Sequence, residues 1–245
     1  MEKVILITGG SGGIGSAIAY QLAKDPENKI VINYLNSKDK AFEIQKKIKN
    51  DCLCIKADVS NEKQVDDMVK QIENEFGPVN VLINNAGIDL PNLFNLKTAE
   101  EFRRVLDVNV VGAYNCANRV AKNMIDNHYG KIINIASTNG INTYYPMCFD
   151  YDASKAALIS LTHNLAVQYA PYVNVNAIAP GFIGTENELK DYDEDFLKQE
   201  TDKILLGRYG KPEEVAELVE FLISDKANYI NNTIIRIDGG QLGAS

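Results

Sequence analysis

Short apolar runs alternate with longer amphipathic segments along the 245 residues of this chain. The apolar runs are rich in isoleucine and valine, which favour β-strands. They lie at residues 3–8, 30–34, 52–57, 79–84, 131–136, 173–178 and 232–237. Between these runs, apolar residues recur at the spacing of one helix face. The helical segments lie near 13–24, 38–49, 61–76, 99–126, 151–170 and 212–224.

Regular alternation of strands and helices predicts an α/β fold, namely a doubly wound (Rossmann) sheet of about seven parallel strands with helices on both faces. The length suits one domain over residues 1–245, and neither a repeat nor a linker divides the chain. Right-handed crossovers bring the carboxyl ends of the strands to one edge, where ligands bind in such folds. The residues that follow each strand are therefore candidates for a functional site.

A cluster of glycines follows the first strand, in the sequence Gly9-Gly10-Ser11-Gly12-Gly13-Ile14-Gly15, and opens a helical pattern. Glycine lets backbone N–H groups approach a phosphate, and the helix N-terminus adds partial positive charge. Such a cluster can also be only a tight turn, but a second strand returns within the length of a βαβ unit. This context predicts a dinucleotide site. No Lys-Ser or Lys-Thr pair follows the glycines, which disfavours a phosphoryl-transfer site.

Tyr151 and Lys155 lie four residues apart at the start of a helical segment, and Ser137 ends the strand-like run before it. Residues at this spacing share a helix face about 5–6 Å apart. An ammonium group so close lowers a tyrosine pKa by about 1–3, which suits the phenol to proton exchange with a hydroxyl or carbonyl group. A tyrosine and a lysine at this spacing often occur by chance, so the pair alone favours a partly buried tyrosine and a solvated lysine. The glycine turn is what favours the chemical interpretation.

A series of motifs resembles the short-chain dehydrogenase/reductase family over essentially the whole chain. The motifs are the glycine turn at 8–15, Asp58-Val59, Asn84-Asn85-Ala86-Gly87, the set Asn109, Ser137, Tyr151 and Lys155, Pro180-Gly181 with Ile183 and Thr185, and Asp238-Gly239-Gly240. Within the family, the chain is most similar to the 3-oxoacyl-[acyl-carrier-protein] reductase branch and its sugar, polyol and ketone dehydrogenase relatives. The resemblance implies an NAD(P)-dependent oxidoreductase that moves a hydride between a nicotinamide and a carbon bearing oxygen.

The same resemblance implies a role for each residue of the catalytic set. Tyr151 is the acid in reduction and the base in oxidation, while Lys155 lowers its pKa and holds the nicotinamide ribose. Ser137 hydrogen-bonds the reacting oxygen. Asn109 holds a water molecule through its backbone in a proton relay, although an asparagine within a helix can also bond a carbonyl four residues earlier or face solvent. A dinucleotide-sensing protein that has lost catalysis is the alternative, and the presence of both Tyr151 and Lys155 disfavours it.

The glycine turn and the resemblance together predict an extended set of cofactor contacts. These are Gly9, Ser11, Gly12, Gly13, Ile14, Gly15, Asn33, Tyr34, Ser37, Asp58, Val59, Asn85, Ala86, Gly87, Tyr151, Lys155, Pro180, Gly181, Ile183 and Thr185. NADP(H) is favoured over NAD(H), because residues 33–38 contain no acid to hold ribose hydroxyls, and Ser37 and Lys38 could bond a 2′-phosphate. Gly12 weighs against this preference, since NADP enzymes of the family often carry a basic residue there.

The chain is 45% hydrophobic and 24% charged, which is ordinary for a globular protein. Its formal net charge of −8 argues against a nucleic-acid partner. No apolar stretch reaches the roughly 18 residues of a membrane span, and the N-terminus resembles a strand rather than a signal peptide. We therefore predict a cytoplasmic protein without a membrane partner. The separation of His128 from His163 disfavours a metal site, and the four cysteines form no disulfide framework.

The substrate side departs from typical acyl-carrier-protein reductases. Residues 137–151 are rich in aromatic side chains and one residue longer, so a different pocket is expected from Asn139, Tyr144, Tyr145, Met147 and Phe149. Docking of an acidic acyl carrier protein is possible but doubtful, because only Lys131 remains near the expected surface. The acidic segment 181–206 resembles the family's substrate lid, although a solvated helical excursion is an equal alternative. The substrate is therefore predicted only as a small molecule or thioester with a carbonyl group.

Two helical segments carry wider apolar stripes than one face of a sheet requires. They are 99–126 and 151–170, and both also contain small residues that permit close helix packing. In the family these helices form a four-helix interface, and the strand before Asp238 often forms another. The resemblance therefore implies a homotetramer with two-fold symmetry. The alternative is a monomer in which loops cover the stripes.

Overall fold

The computed structural model describes residues 2–191 and 193–242. Within these ranges, seven parallel strands form one sheet in the order β3-β2-β1-β4-β5-β6-β7. The strands are β1 (Lys3–Ile7), β2 (Asn28–Tyr34), β3 (Cys52–Lys56), β4 (Val81–Asn84), β5 (Gly130–Ile135), β6 (Val173–Pro180) and β7 (Ile234–Ile237). The strand order reverses between β1 and β4, as in doubly wound sheets. The predicted α/β fold is confirmed.

Helices cover both faces of the sheet. They are α1 (Gly13–Leu22), α2 (Lys38–Lys47), α3 (Glu62–Phe76), α4 (Ala99–Leu106), α5 (Gly112–Asp126), α6 (Phe149–Tyr169), α7 (Glu186–Asp191), α8 (Glu194–Asp202) and α9 (Pro212–Ile223). Alternate residues of β1 enter two separate cores, because successive side chains of a strand point to opposite faces. Ile5 and Ile7 pack with apolar residues of α1, α2 and α9. Val4 and Leu6 pack with apolar residues of α3, α5 and α6.

The segment 99–126 is helical throughout, as the apolar pattern predicts, but its hydrogen bonding changes in the middle. Helix α4 ends at Leu106, a single π-helical turn spans Asp107–Val111, and α5 begins at Gly112. The side chain of Asn109 in this turn is buried and bonds residues outside the helix, so contacts distant in sequence accompany the π-helical turn. Some predicted strand ends also shift by two residues, as at β4 and β7. No helix in the described ranges combines the length and hydropathy that crossing a membrane requires.

Candidate active site

The glycine turn packs tightly against the residues that follow β4. Gly9 and Gly13 have φ angles of +60° and +53°, which glycine adopts without strain. A Cβ atom on Gly9 would lie 2.9 Å from the Ala86 Cα, and one on Gly15 would lie 2.6 Å from the Asn85 Nδ2. Side chains are therefore excluded from both positions. The turn and the segment at Asn85 and Ala86 form one surface at the carboxyl edge of the sheet.

Thr8 joins these two segments through its hydroxyl group. Its Oγ1 accepts hydrogen bonds from the backbone N–H groups of Asn85 and Ala86, each at 3.0 Å. In return, the Asn85 Nδ2 donates to the carbonyl oxygens of Thr8 and Gly9, each at 3.0 Å. The sequence pattern gave Thr8 no separate role. Its place where the first strand-like run meets the glycine motif was the signal that could have indicated one.

The glycine turn and the N-terminus of α1 fit a dinucleotide diphosphate. Gly12 is the N-cap of α1 and supplies no side-chain cap, and the first helical turn contains no acidic residue. A Cβ atom on Gly12 would meet nothing within 4 Å, so the approach to the helix N-terminus is open. Exposed N–H groups at such an end attract phosphate. Ser11 and Ile14 flank this opening and are partly exposed.

The residues after β2 divide into a buried and an exposed group. The Asn33 Oδ1 accepts from the Gly9 N–H at 3.3 Å, and its Nδ2 donates to the Ala57 carbonyl oxygen at 3.0 Å. The Asn33 side chain thus joins the glycine turn to the segment after β3. A contact between Asn33 and a cofactor stays a prediction. Tyr34 is also buried, whereas Ser37 is exposed at the N-cap of α2 and makes no side-chain cap bond there. Ser37 is therefore the accessible member of this group.

Asp58 lies after β3 and is held by neighbours that the sequence did not indicate. Its Oδ1 accepts from the Ser60 Oγ at 2.6 Å, and its Oδ2 accepts from the Arg104 guanidinium at 2.9 Å. Burial raises the pKa of Asp58, but the Ser60 and Arg104 bonds outweigh burial and keep that pKa below its usual range. Val59 is buried beside Gly112, where a Cβ atom would lie 2.5 Å from its Cγ2. The Asp58 carboxylate is therefore ionised and fixed in place.

Helix α6 places Tyr151 and Lys155 side by side. The Lys155 Nζ lies 5.3 Å from the centroid of the Tyr151 ring and donates to the Ile135 carbonyl oxygen at 2.8 Å. Lys155 is buried, and burial lowers the pKa of its ammonium group to about 8. The lysine remains protonated at neutral pH but is not solvated. The alternative of a solvated lysine beside a packed tyrosine is thus excluded by the geometry.

The Asn109 side chain links three segments around the same point. Its Oδ1 accepts from the Ile88 N–H at 2.8 Å, and its Nδ2 donates to the Ile88 carbonyl oxygen and the Ser154 Oγ, each at 2.9 Å. It therefore neither faces solvent nor bonds its own helix through these contacts. A Cβ atom on Gly87 would lie 3.4 Å from the Asn109 Oδ1 and 3.6 Å from the Lys155 Nζ. Both side chains thus approach Gly87, which leaves little room for a larger residue.

Ser137 follows β5 and is oriented by an asparagine that belongs to the predicted pocket. The Ser137 Oγ donates to the Asn139 Oδ1 at 3.1 Å and accepts from the Asn139 N–H at 3.2 Å. The Asn139 Nδ2 in turn donates to the Asp152 Oδ1 at 2.6 Å. Asp152 lies in the first turn of α6, next to Tyr151. This chain of bonds ties the position of Ser137 to the helix that carries Tyr151.

Pro180 ends β6, and Gly181, which follows it, packs against the C-terminal segment. The Gly181 N–H donates to the Ile237 carbonyl oxygen at 3.0 Å, and a Cβ atom on Gly181 would lie 2.6 Å from the Asp238 Cβ. The following residues turn towards the glycine turn, so that Thr185 lies within 3.5 Å of the Cβ position of Gly13. The segment after β6 therefore closes one side of the site.

A cavity of about 700 Å³ opens at this edge of the sheet. Its lining is Ile14, Asn85, Gly87, Ile88, Asp89, Pro91, Ile135, Ala136, Ser137, Thr138, Asn139, Tyr145, Pro146, Met147, Cys148, Tyr151, Lys155, Pro180, Gly181, Phe182, Ile183, Thr185, Phe196 and Gln241. It brings together three members of the catalytic set and the predicted nicotinamide segment. The other predicted site residues do not line the cavity. They are Gly9, Ser11, Gly12, Gly13, Gly15, Asn33, Tyr34, Ser37, Asp58, Val59, Ala86 and Asn109.

The pocket walls differ in part from the sequence prediction. Tyr144 is 60% exposed and Phe149 packs on Phe94 with a centroid distance of 5.0 Å, so neither lines the cavity. Phe182 and Phe196 line it instead, although no pattern had indicated them. Both come from segment 181–206: Phe182 precedes α7, and Phe196 lies in α8. Their contribution to the wall depends on how that segment folds back, which local periodicity does not encode.

Lys131 does not offer a docking surface, in contrast to the sequence prediction. It is 1% exposed at the start of β5, and its Nζ donates to the Asn174 Oδ1 at 2.9 Å and the Asn228 Oδ1 at 2.7 Å. Burial lowers the pKa of its ammonium group. The side chain therefore has a structural role, and the case for an acyl carrier protein as partner weakens further. In the described ranges, no group of three or more His, Cys, Asp or Glu residues could hold a metal ion.

Comparison with known proteins agrees with this geometry. Residues 3–195 match the short chain dehydrogenase family. The chain is 39% identical to the 3-oxoacyl-[acyl-carrier-protein] reductase FabG of Staphylococcus epidermidis, over 98% of this chain and 99% of that protein. It is 38% identical to the acetoacetyl-CoA reductase of Rhizobium meliloti, with the same coverage. The crystal structure of a short chain dehydrogenase from Bacillus anthracis shares its fold with a TM-score of 0.87 and 33% identity, over 98% of this chain and 96% of that one. The protein therefore belongs to the short-chain dehydrogenase/reductase family and is an NAD(P)-dependent oxidoreductase similar to 3-oxoacyl-[acyl-carrier-protein] reductases.

Proposed function

We propose that this protein uses NADPH to reduce the keto group of a 3-oxoacyl thioester. The observation that carries the proposal is the placement of Tyr151, Lys155 and Ser137 on the wall of one cavity, beside the segment that follows β6. Two relatives with 38–39% identity are named as reductases of 3-oxoacyl and acetoacetyl thioesters. Apolar residues of the lining, such as Met147 and Phe196, suit a short acyl chain.

Tyr151 and Ser137 act on the oxygen of the reacting ketone in this proposal. The nicotinamide cofactor, when bound, supplies the hydride for reduction of the carbonyl carbon and accepts it in oxidation. Tyr151 donates its phenolic proton to the carbonyl oxygen, and the Ser137 hydroxyl bonds the same oxygen as negative charge develops on it. In oxidation the tyrosine phenolate takes the proton back. The glycine turn and the N-terminus of α1 would hold the cofactor diphosphate, and Pro180, Gly181, Ile183 and Thr185 its nicotinamide.

Lys155 stabilises the phenolate that remains after proton transfer. Its ammonium group is fixed by the Ile135 carbonyl bond and lies above the Tyr151 ring. A buried cation at this distance acts through a medium of low dielectric, where its effect on a neighbouring pKa is large. We infer that Asn109 holds a water molecule, and that this water returns a proton to Tyr151 after the reaction. The π-helical turn that contains Asn109 supports this role, because such turns redirect backbone groups at functional sites.

We infer that segment 181–206 covers the substrate during the reaction. Phe196 of α8 lines the cavity, and the Tyr145 Oη donates to the Glu200 Oε2 at 2.6 Å. Glu200 is buried and also bonds the Lys203 Nζ at 2.6 Å. These contacts join α8 to the cavity wall. A segment in this position excludes water from the site.

The test of the proposed function is oxidation of NADPH at 340 nm with an acetoacetyl thioester as substrate. We expect kcat/KM for NADPH to exceed that for NADH by about 10–150-fold, because a charge-assisted bond to the 2′-phosphate contributes about 1.5–3 kcal/mol. Exposed Ser37 and Lys38 at the start of α2 are the expected partners of that phosphate. No substrate-dependent oxidation of either cofactor would contradict the function. Equal efficiency with both would contradict only the preference.

A carboxylate introduced near the expected 2′-phosphate site tests the preference for NADPH over NADH directly. Ser37→Asp places a negative charge where the 2′-phosphate is expected, so the preference for NADPH should fall through repulsion. Gln71→Glu is the matched control, since it adds the same charge on the exposed face of α3. We chose Ser37 rather than Asn33 because an acid at Asn33 would lose the bond to the Ala57 carbonyl and disturb the glycine turn.

We also infer that the protein assembles as a homotetramer. Val111 and Tyr114 of the α4–α5 region and Val167 of α6 are exposed apolar residues on the two helical segments predicted to form an interface. Leu205 and Leu206 form a second exposed patch next to Gly239 and Gly240, beyond β7. Two separate apolar surfaces suit the two interface types of a tetramer with two-fold axes.

Light scattering at micromolar concentration tests this assembly. We expect a mass of four times the 27.1 kDa chain. Val167 is 73% exposed, so Val167→Glu should reduce the mass without unfolding the chain, because burying an unpaired charge in an interface is unfavourable. Gln71→Glu again serves as the control of equal charge. A wild-type mass near 27.1 kDa would refute the tetramer.

A further inference from the structure

Asp89 brings a negative charge to the wall of the cavity. It is two residues beyond Gly87, and among the described lining residues only Asp89 and Lys155 are charged. The position of Asp89 is fixed through its neighbour Ile88, whose N–H and carbonyl groups both bond Asn109. The carboxylate and Tyr151 therefore face the same space from two rigid supports.

Neighbouring cations do not neutralise this carboxylate directly. The Lys155 ammonium, which also lines the cavity, donates to the Ile135 carbonyl oxygen. Lys97 forms a buried ion pair with Asp150 at 2.7 Å. Asp89 accepts instead from the Cys148 thiol, at 3.1 Å between Sγ and Oδ2, and from the Leu90 backbone. A carboxylate has about four acceptor positions, so these two donors leave capacity for a ligand.

The surroundings of Asp89 favour a hydrogen-bond donor over an anion. Burial raises the pKa of Asp89 above its usual range, and the nearby Asp150 carboxylate adds to this effect. The Cys148 thiol, the Lys97 ammonium and the Leu90 N–H lower that pKa, but they do not outweigh burial and Asp150. The pKa of Asp152 is also raised, mainly by burial and further by the Asp89 and Asp150 carboxylates. Among the described lining residues, this side of the cavity therefore carries one partly desolvated carboxyl group, that of Asp89. A hydroxyl or ammonium group would offset the cost of that desolvation, whereas a carboxylate or phosphate would be repelled.

We infer that Asp89 determines substrate specificity by selecting a ketone whose chain carries a hydroxyl or amino group next to the reacting carbonyl. The inference rests on the proposed ketone reduction and adds the chemistry of the group beside the ketone. Cys148 lies at the N-cap of α6, three residues before Tyr151, and its bond to Asp89 places the carboxylate near the end of the cavity where the proton is exchanged. A donor group one carbon from the ketone could reach it there.

Two esters that differ by one hydroxyl group test this specificity. We compare kcat/KM of the wild-type enzyme for ethyl 3-oxobutanoate and ethyl 4-hydroxy-3-oxobutanoate. The hydroxylated ester should be preferred by about 10–150-fold, the range expected for a hydrogen bond to a charged group. Monoethyl 3-oxopentanedioate, which carries a carboxylate on the same carbon, should be the poorest of the three. The Asp89→Ala variant should reduce the preference for the hydroxylated ester to within about threefold.

Cys148→Ala is the matched control, because it removes the thiol that bonds Asp89 but leaves the carboxylate. The preference should fall less in this variant than in Asp89→Ala, and it should also persist partly in Asp89→Asn, which keeps an oxygen acceptor without the charge. A wild-type enzyme that reduces both esters equally would overturn the inference, and so would an Asp89→Ala enzyme with an unchanged preference. If the wild type reduces none of the three esters and no acetoacetyl thioester, the proposed function fails instead.

Discussion

Replacing Tyr151 with phenylalanine should lower turnover by about 10²–10⁴-fold, the contribution of a general acid to a proton-transfer step. The substitution removes only the hydroxyl group, so the ring can still pack beside Lys155, whose Nζ lies 5.3 Å from the ring centroid. The dissociation constant for NADPH should stay within a few-fold of the wild-type value. Steady-state assays at 340 nm and calorimetric titration with NADPH measure the two quantities separately.

Tyr144→Phe is the matched control for this substitution. It removes the same group from a tyrosine that is 60% exposed and does not line the cavity, so turnover should remain near that of the wild type. If the Tyr151→Phe enzyme kept more than about a tenth of wild-type turnover, Tyr151 would not be the acid. A large loss of NADPH affinity would instead indicate that the hydroxyl group mainly binds the cofactor.

Replacing Lys97 with methionine should lower the free energy of unfolding by about 3–5 kcal/mol, the cost of leaving a buried charge without its partner. The Lys97 Nζ lies 2.7 Å from the Asp150 Oδ2, and the two side chains are 2% and 0% exposed. Lys97 also bonds the Leu90 carbonyl oxygen, and the Asp150 Oδ1 accepts from the Tyr151 N–H at 3.0 Å. The pair therefore fixes the start of α6 to the loop before α4. Denaturant unfolding measures the loss.

Lys63→Met provides the comparison for a solvated pair. The Lys63 Nζ also lies 2.7 Å from its partner Asp67, but these side chains are 82% and 56% exposed. Exposed ion pairs contribute at most about 1 kcal/mol, so this variant should unfold much like the wild type. Equal losses in Lys97→Met and Lys63→Met would show that burial does not determine the contribution of the Lys97 pair. The double variant Lys97→Met, Asp150→Leu should recover part of the loss, because no unpaired charge remains.

The fold was predictable because its determinants are local. Buried strands such as β1 appear in the sequence as apolar runs, since both of their faces enter a core. The glycine turn was recognisable for a similar reason, because Gly9 and Gly15 occupy positions that no side chain could share. The π-helical turn was not predictable. It accompanies bonds from Asn109 to Ile88 and Ser154, which lie 21 and 45 residues away in the sequence.

The residues around the site were predictable only in part, because tertiary contacts decide which polar side chains face the cavity. Asn33 and Lys131 are polar residues at strand positions that suggested exposed roles, yet both are buried and bond other parts of the chain. Arg104 had only a helical pattern around it, although it bonds Asp58 across 46 residues. Asp89 lies in a loop, where no periodicity indicates which way a side chain points. The role inferred for Asp89 follows from its place in the lining of the cavity.

The bonds of Thr8 limit how this enzyme can be recombined with its relatives. One hydroxyl oxygen accepts from both Asn85 and Ala86, so the end of β1 and the end of β4 share an acceptor across 77 and 78 residues. A chimera with its crossover between these segments keeps the junction only if the parent that supplies β1 also has a hydroxyl group there. Crossovers after residue 88 transfer both segments together. Libraries made by gene shuffling should therefore retain cofactor binding more often when residues 8–88 come from one parent.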